Sequence, residues 1–194
     1  MIGLLRGIEW LECEITNLDE ALELLRRFKR HLKNGWETAA GFDTETTGLN
    51  PVRSRPFLYQ CGWYSEEKGK GITVVMQLDK VNPAVAKLFL VNWQKLTAQA
   101  PVYLGHHVVF DMHMMSNHGT PLDPEVNTNL ADTQFYIRAS SDAVQEDKGG
   151  EPLGLKDWAV RHITKDARDF EKELKQERTK IAQNFNKQLQ LATG

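Results

Sequence analysis

The chemistry-bearing residues of this chain are concentrated in Gly41-Phe42-Asp43-Thr44-Glu45-Thr46-Thr47-Gly48. If the run is extended, side-chain alternation puts Asp43 and Glu45 on one face, roughly 7 Å apart along the strand, with Thr44 pointing away. Two carboxylates brought within ~4 Å repel by about 4 kcal/mol at an effective dielectric near 20. A divalent cation removes that cost, and oxygen-only ligands favour magnesium or manganese. Gly48 allows a sharp turn and close approach of a substrate to the backbone. A D-x-E at a strand end is commonplace by itself; the flanking threonines and glycine make the string specific.

A second run, Gly105-His106-His107-Val108-Val109-Phe110-Asp111, follows the apolar segment Val102–Leu104 and so lies where a strand feeds a helix. On that helix His107 and Asp111 are four apart and share a face. Asp111 is then a third carboxylate near a strand end, able to close a metal site begun by Asp43 and Glu45. Met112, Met114 and Met115 with His113 and His118 could be read as a soft-metal site. Helical methionines more often fill cores, and the histidines lack zinc spacing, so zinc is set aside. Trp10, Trp36, Trp63, Trp93 and Trp158 are scattered and read as packing, with Trp63 and Tyr64 the candidates for base stacking. Arg53 and Arg55, close to the first run, are candidates for phosphate contact.

These residues need a scaffold. Leu4–Ile15 has β character, and Asn17 with Glu20 reads as a capping-box variant opening a helix, with Thr16 as the alternative cap. Leu18, Leu22, Leu25, Phe28 and Leu32 recur at helical spacing before Gly35 stops it. Three strand-like runs follow, Glu37–Asp43, Phe57–Tyr64 and Gly71–Leu78, with turn residues between them that predict an antiparallel meander. Ala84–Gln99 reads as helix, Pro101–Leu104 as a short strand and His107–His118 as a helix ended by Gly119 and Pro121. Ser140–Pro152 reads as a loop and Leu155–Ile163 as a short helix. The expected class is α/β, a mixed sheet of three antiparallel strands and then a parallel strand, covered by helices.

The highly charged segment Asp166–Ala192 keeps Phe170, Leu174, Ile181, Phe185, Leu189 and Ala192 on one helical face. It reads as an amphipathic helix packed on a neighbour, and Glu171, Glu173 and Glu177 argue against a nucleic-acid clamp.

The chain has 194 residues, 24 basic and 26 acidic side chains and a formal charge of −2, which excludes bulk electrostatic coating of nucleic acid as its activity. An apolar fraction of 41% with 9% aromatics is too high for disorder. No apolar run is long enough for a bilayer, and Arg6, Glu9, Glu12 and Glu14 spoil a secretory segment. Cys13 and Cys61 make no disulfide framework. The expectation is a soluble, cytoplasmic protein with no membrane partner.

FDTETTG followed by HHVVFD resembles the first two motifs of the DEDD superfamily of 3′→5′ exonucleases, which have a ribonuclease-H-like fold. Ala131-Asp132-Thr133 and Leu153-Gly154-Leu155-Lys156-Asp157-Trp158-Ala159 resemble later segments of its DNA-polymerase branch. The nearest likeness is the proofreading domain of bacterial and phage family A DNA polymerases, over about residues 8–165, with 166–194 as a helical tail.

That resemblance implies two divalent metal ions, with Asp43 bridging both, Glu45 holding the ion that carries the attacking water, and Asp111 serving the other. It implies hydrolysis of terminal phosphodiesters at single-stranded or frayed DNA 3′ ends, releasing nucleoside monophosphates, with a polymerase domain in the same or an adjoining polypeptide. Thr46, Thr47, Gly48, His106 and His107 would lie by the terminal nucleotide, Phe110 would support that pocket or pack in the core, and Asp132 would act at most through other residues.

Two departures stand out. The family has Asn where this chain has His107, a bulkier group that titrates near neutrality. The fourth acid, in a Tyr-x-x-x-Asp motif, has no counterpart; His162-Ile163-Thr164-Lys165-Asp166 has a related spacing but follows Trp158 too closely. The expectation is a chain that stops before the last catalytic helix. The alternatives are a stand-alone ribonuclease of the same superfamily, with Asp166 or Asp169 as the fourth acid, and a catalytically incomplete nucleic-acid-binding module.

Overall fold

In the computed structural model, the described residues are 4–5, 8–35, 39–50, 52–123, 125–140, 154–162, 176 and 179–180. The chain divides into two compact units, 1–140 and 141–194. In the second, one helix, Leu155–His162, is among the described residues. Of the loop read at Ser140–Pro152 only Ser140 is described, and it ends a helix rather than opening a loop. Of the tail only residues 176 and 179–180 are described, while Asp166, Asp169 and the 165/166 boundary lie outside the described residues. Among the described residues no helix is long and apolar enough to cross a membrane.

The first unit is built on strands β1 (Leu4–Leu5), β2 (Ile8–Ile15), β3 (Ala40–Thr46), β4 (Pro56–Ser65), β5 (Lys70–Gln77), β6 (Tyr103–Gly105) and β7 (Leu130–Asp132). Its helices are α1 (Leu18–Lys33), α2 (Pro83–Thr97), α3 (Val108–Asn117) and α4 (Thr133–Ser140); α5 (Leu155–His162) is the helix of the second unit. The seven strands form one sheet in the order β1-β2-β5-β4-β3-β6-β7. The meander β3-β4-β5 is antiparallel and β6 and β7 run parallel to β3, the mixed sheet expected from the sequence. Two features were not legible there. β7 adds a second parallel strand beyond β6, and β2 pairs in parallel with β5, extending the far edge.

Local rules account for the elements. Asn17 caps α1 by accepting from the Glu20 N–H, and Glu20 answers by accepting from the N–H and hydroxyl of Thr16, so the box closes on Thr16. The buried face of α1 is Ala21, Leu24, Leu25 and Phe28, rotated from the expected stripe; Leu18 is exposed, and Leu22 and Leu32 are only half-buried. Phe28 lies 5.0 Å from the Trp63 ring and 4.5 Å from that of Trp93, joining α1, β4 and α2 in one aromatic core. Trp63 therefore packs rather than stacking on a base. Met114 and Met115 are fully buried, as core filler should be.

Candidate active site

Packing sets the two faces of β3 apart. Ala40, Phe42 and Thr44 are buried against the helices, and Asp43 and Glu45 are exposed on the opposite face, as alternation requires. Register shifts between Glu45 and Thr46, where Glu45 pairs with Leu58 but Thr46 with Pro56. Such a bulge bends the strand just where the acidic residues end. On the other edge β3 pairs with β6 only at Ala40 and Gly41.

Beyond Gly41 that edge is met by α3 rather than by a strand. Asp111, 2% exposed, accepts from the Thr44 N–H at 3.1 Å and from the Thr44 hydroxyl at 2.5 Å, both on Oδ1. A strand N–H lies in the plane of the sheet, so Asp111 meets β3 edge-on, between the two faces. Burial pushes its carboxyl from an ordinary 3.8 up to about 6; the Thr44 hydroxyl bond opposes the rise and the charge of Asp43 adds to it. Asp43 and Asp111 therefore interact electrostatically, with Thr44 between Asp43 and Glu45 as the anchor.

By type these donors suit a hard divalent cation, being all carboxylate oxygens, with Oδ2 of Asp111 taking neither Thr44 bond. The neighbouring charge that raises Asp111 is one a cation would neutralise. The carboxylates nevertheless do not converge: among the described residues, no group of three or more His, Cys, Asp or Glu is placed to hold a metal ion. The structure brings Asp111 to Thr44, near enough to Asp43 for the two charges to interact, and leaves Glu45 two residues further along the exposed face.

The expected nucleotide-binding residues are engaged locally. The Thr46 hydroxyl donates to the Gly48 carbonyl at 2.8 Å, and that of Thr47 accepts from the Arg55 N–H at 3.2 Å, bracing the β3–β4 connection. Gly48 is not in the left-handed region; a Cβ there would lie 3.0 Å from the Ser54 hydroxyl oxygen. Arg53 and Arg55 are exposed on the same connection.

His107 is not the first residue of α3 but its N-cap, left-handed at φ 61 and making no side-chain cap bond. Its ring stacks on half-buried Phe110 with centroids 6.2 Å apart, which takes Phe110 out of the core. His106 Nδ1 pairs with the Thr133 hydroxyl at 2.9 Å.

Asp132 stands at the N-terminus of α4 and also reaches that of α3. Its carboxylate accepts from the N–H groups of His107, Val108 and Gln134. The available signal was an acid directly before a helix, which is a capping residue for whichever helix lies near.

On the face that carries Asp43, a groove of about 410 Å³ is lined by Gly41, Asp43, Gln60, Gly62, Tyr64 and Leu104 among others. Beneath the site, the Tyr59 and Tyr103 hydroxyls bond each other at 2.9 Å, and burial pushes both phenols well up, so they remain neutral.

No protein-family model matches the chain, and no curated protein matches it. Several solved structures are similar. Brucella melitensis NrnC is 21% identical with a TM-score of 0.43, over 78% of this chain and 58% of that one. The catalytic core of RRP6 from Trypanosoma brucei is 17% identical with a TM-score of 0.46, over 66% and 30%. Escherichia coli RNase D, an exoribonuclease involved in structured RNA processing, is 17% identical with a TM-score of 0.46, over 77% and 32%. The chain spans between 30% and 58% of the length of these solved chains.

Proposed function

We propose that this chain is a metal-dependent 3′→5′ exonuclease unit that hydrolyses the terminal phosphodiester of a single-stranded nucleic acid. The observation that carries the reading is the anchoring of Asp111 on Thr44, the residue between Asp43 and Glu45, from a helix 67 residues away in the chain. It lies where β3 stands between the antiparallel meander and the parallel strands β6 and β7, at the carboxyl ends of β3 and β6. Open α/β sheets bind ligands at such a switch point.

Asp43, Glu45 and Asp111 would hold two divalent cations, magnesium or manganese. When bound, such ions lower the pKa of an attacking water and neutralise the leaving 3′ oxygen. The chain's own groups do the rest. Thr44 fixes the Asp111 carboxylate, and the groove beside Asp43 has the volume of a small-ligand pocket, room for a terminal nucleoside. His107 and Phe110 present a stacked pair at the start of α3. RNA is the first substrate to try, after RNase D, and a stand-alone exoribonuclease is the preferred form of the reading; the polymerase-proofreading form stands on the motif resemblance alone.

The test is incubation of the full chain with matched 5′-labelled RNA and DNA oligonucleotides in magnesium, in manganese and in chelator. Stepwise release of nucleoside monophosphate from the 3′ end is expected, lost in chelator and reduced at least roughly a hundredfold by Asp43→Ala or Asp111→Asn, beyond the loss of an outer partner of a metal ligand. Release that ignores the cation, or none at all, sinks the reading. The open spacing of the acids favours a second one, a binding module without catalysis. Its mark is 3′-end binding unaffected by magnesium and by Asp43→Ala.

A further inference from the structure

The helix that delivers Asp111 starts without a cap of its own. Its N-cap, His107, has a left-handed backbone and makes no side-chain bond to the first turn, which leaves the N–H groups of His107 and Val108 to be satisfied from elsewhere. Both are taken by Asp132, from the end of β7: His107 N–H to Oδ1 at 3.0 Å and Val108 N–H to Oδ2 at 3.1 Å. The Gln134 N–H donates to the same Oδ1 at 2.8 Å, fixing the carboxylate on its own side. A carboxylate receiving N–H groups at a helix N-terminus gains from both the bonds and the helix dipole. Thr133 reinforces the joint, its hydroxyl donating to the Gly105 carbonyl at 3.1 Å. The joint is also tight, since a Cβ on Gly105 would sit 2.5 Å from Val108 Cγ2 and 3.0 Å from Phe42 Cε1.

We propose that Asp132 is a positioning residue: by anchoring the first turn of α3 to the end of β7, it keeps Asp111 registered on Thr44. Asp111 lies one turn beyond His107, ~6 Å along the helix axis. A slide of the helix by a fraction of that distance would break both Thr44 bonds, so the two ends of one rigid turn stand or fall together. The consequence for catalysis rests on the nuclease reading above; the mechanical coupling does not.

Amide hydrogen exchange followed by NMR on the full, metal-free chain tests it. In Asp132→Asn the amide of Thr44, together with those of His107 and Val108, should exchange faster by roughly tenfold or more, while Cys61 and Val74 in the β4–β5 ladder keep wild-type protection. Loss of protection at His107 and Val108 with Thr44 unchanged would reduce Asp132 to a local cap and overturn the proposal. Should the variant fail to fold, native-state exchange of the wild type in rising denaturant decides the matter. One shared opening isotherm for Thr44 and Val108 supports the coupling, and separate isotherms refute it. With an active wild type, Asp132→Asn should lower kcat by roughly tenfold, because Asp111 loses its register; an unchanged kcat counts against it. Coupled exchange in a wild type that releases no nucleotide would uphold the positioning role and defeat the nuclease reading.

Discussion

The hydroxyl and main-chain N–H of Thr44 both end on one carboxylate oxygen of Asp111. This pair of hydrogen bonds to a single oxygen fixes the buried acid while its charge interacts with that of Asp43. The arrangement has consequences for pH, for stability and for the backbone around it.

Without metal, Asp111 should make stability fall as pH rises. Its folded value of about 6 lies above the ordinary 3.8, so between the two the folded state binds the extra proton. The contribution is whole below about pH 4 and gone above the folded value, with a ceiling of about 3 kcal/mol. Chemical denaturation from pH 4 to 7 should show the decline, and Asp111→Asn should remove that part of it. Added magnesium should stabilise the wild type increasingly as pH passes 6, since the cation takes the deprotonated acid. A denaturation profile identical in wild type and Asp111→Asn would contradict the assignment.

Thr44→Val should cost about 1.5–3 kcal/mol, the range for a buried hydrogen bond to a charged group. The same change should move the Asp111 carboxyl further up, because the Thr44 hydroxyl now holds it down. Thr44→Ser should recover most of both effects. Urea denaturation and carboxyl-carbon NMR titration read the two quantities.

At His107 the backbone decides which replacements are tolerated. Asn and His both enter the left-handed region more readily than other side chains, whereas β-branched residues resist it. His107→Asn should therefore stay within about 0.5 kcal/mol of wild type, and His107→Val should lose roughly 1–2 kcal/mol. The Asn of the resembling family fits this backbone as well. Equal thermal midpoints for the two variants would show that the strain is absent.

Two strand glycines that line the same groove should behave differently. A Cβ on Gly62 would fall 2.5 Å from the Ile72 carbonyl oxygen, which the β4–β5 ladder holds in place. On Gly41 it would meet nothing nearer than the Leu104 carbonyl oxygen at 3.9 Å. Gly62→Ala should destabilise by roughly 1–3 kcal/mol through backbone displacement, and Gly41→Ala should be close to neutral. Calorimetry on the pair checks the contrast.

What the sequence determined by itself was local. Alternation placed Asp43 and Glu45 on one face, Asn17 announced the start of α1, and turn residues between apolar runs announced an antiparallel meander. Each of these depends on interactions within a few residues, so each is written in the order of side chains. Only the tertiary structure decided that Asp111 meets Thr44, that Asp132 caps a helix 24 residues before it, and that β2 joins β5 in parallel. It also turned the buried side of α1 to Ala21, Leu24, Leu25 and Phe28, because Trp63 and Trp93 supply the surface to be covered. Those pairings depend on which strand edges and helix ends packing brings together, and an unpaired N–H takes whichever carboxylate the fold delivers to it.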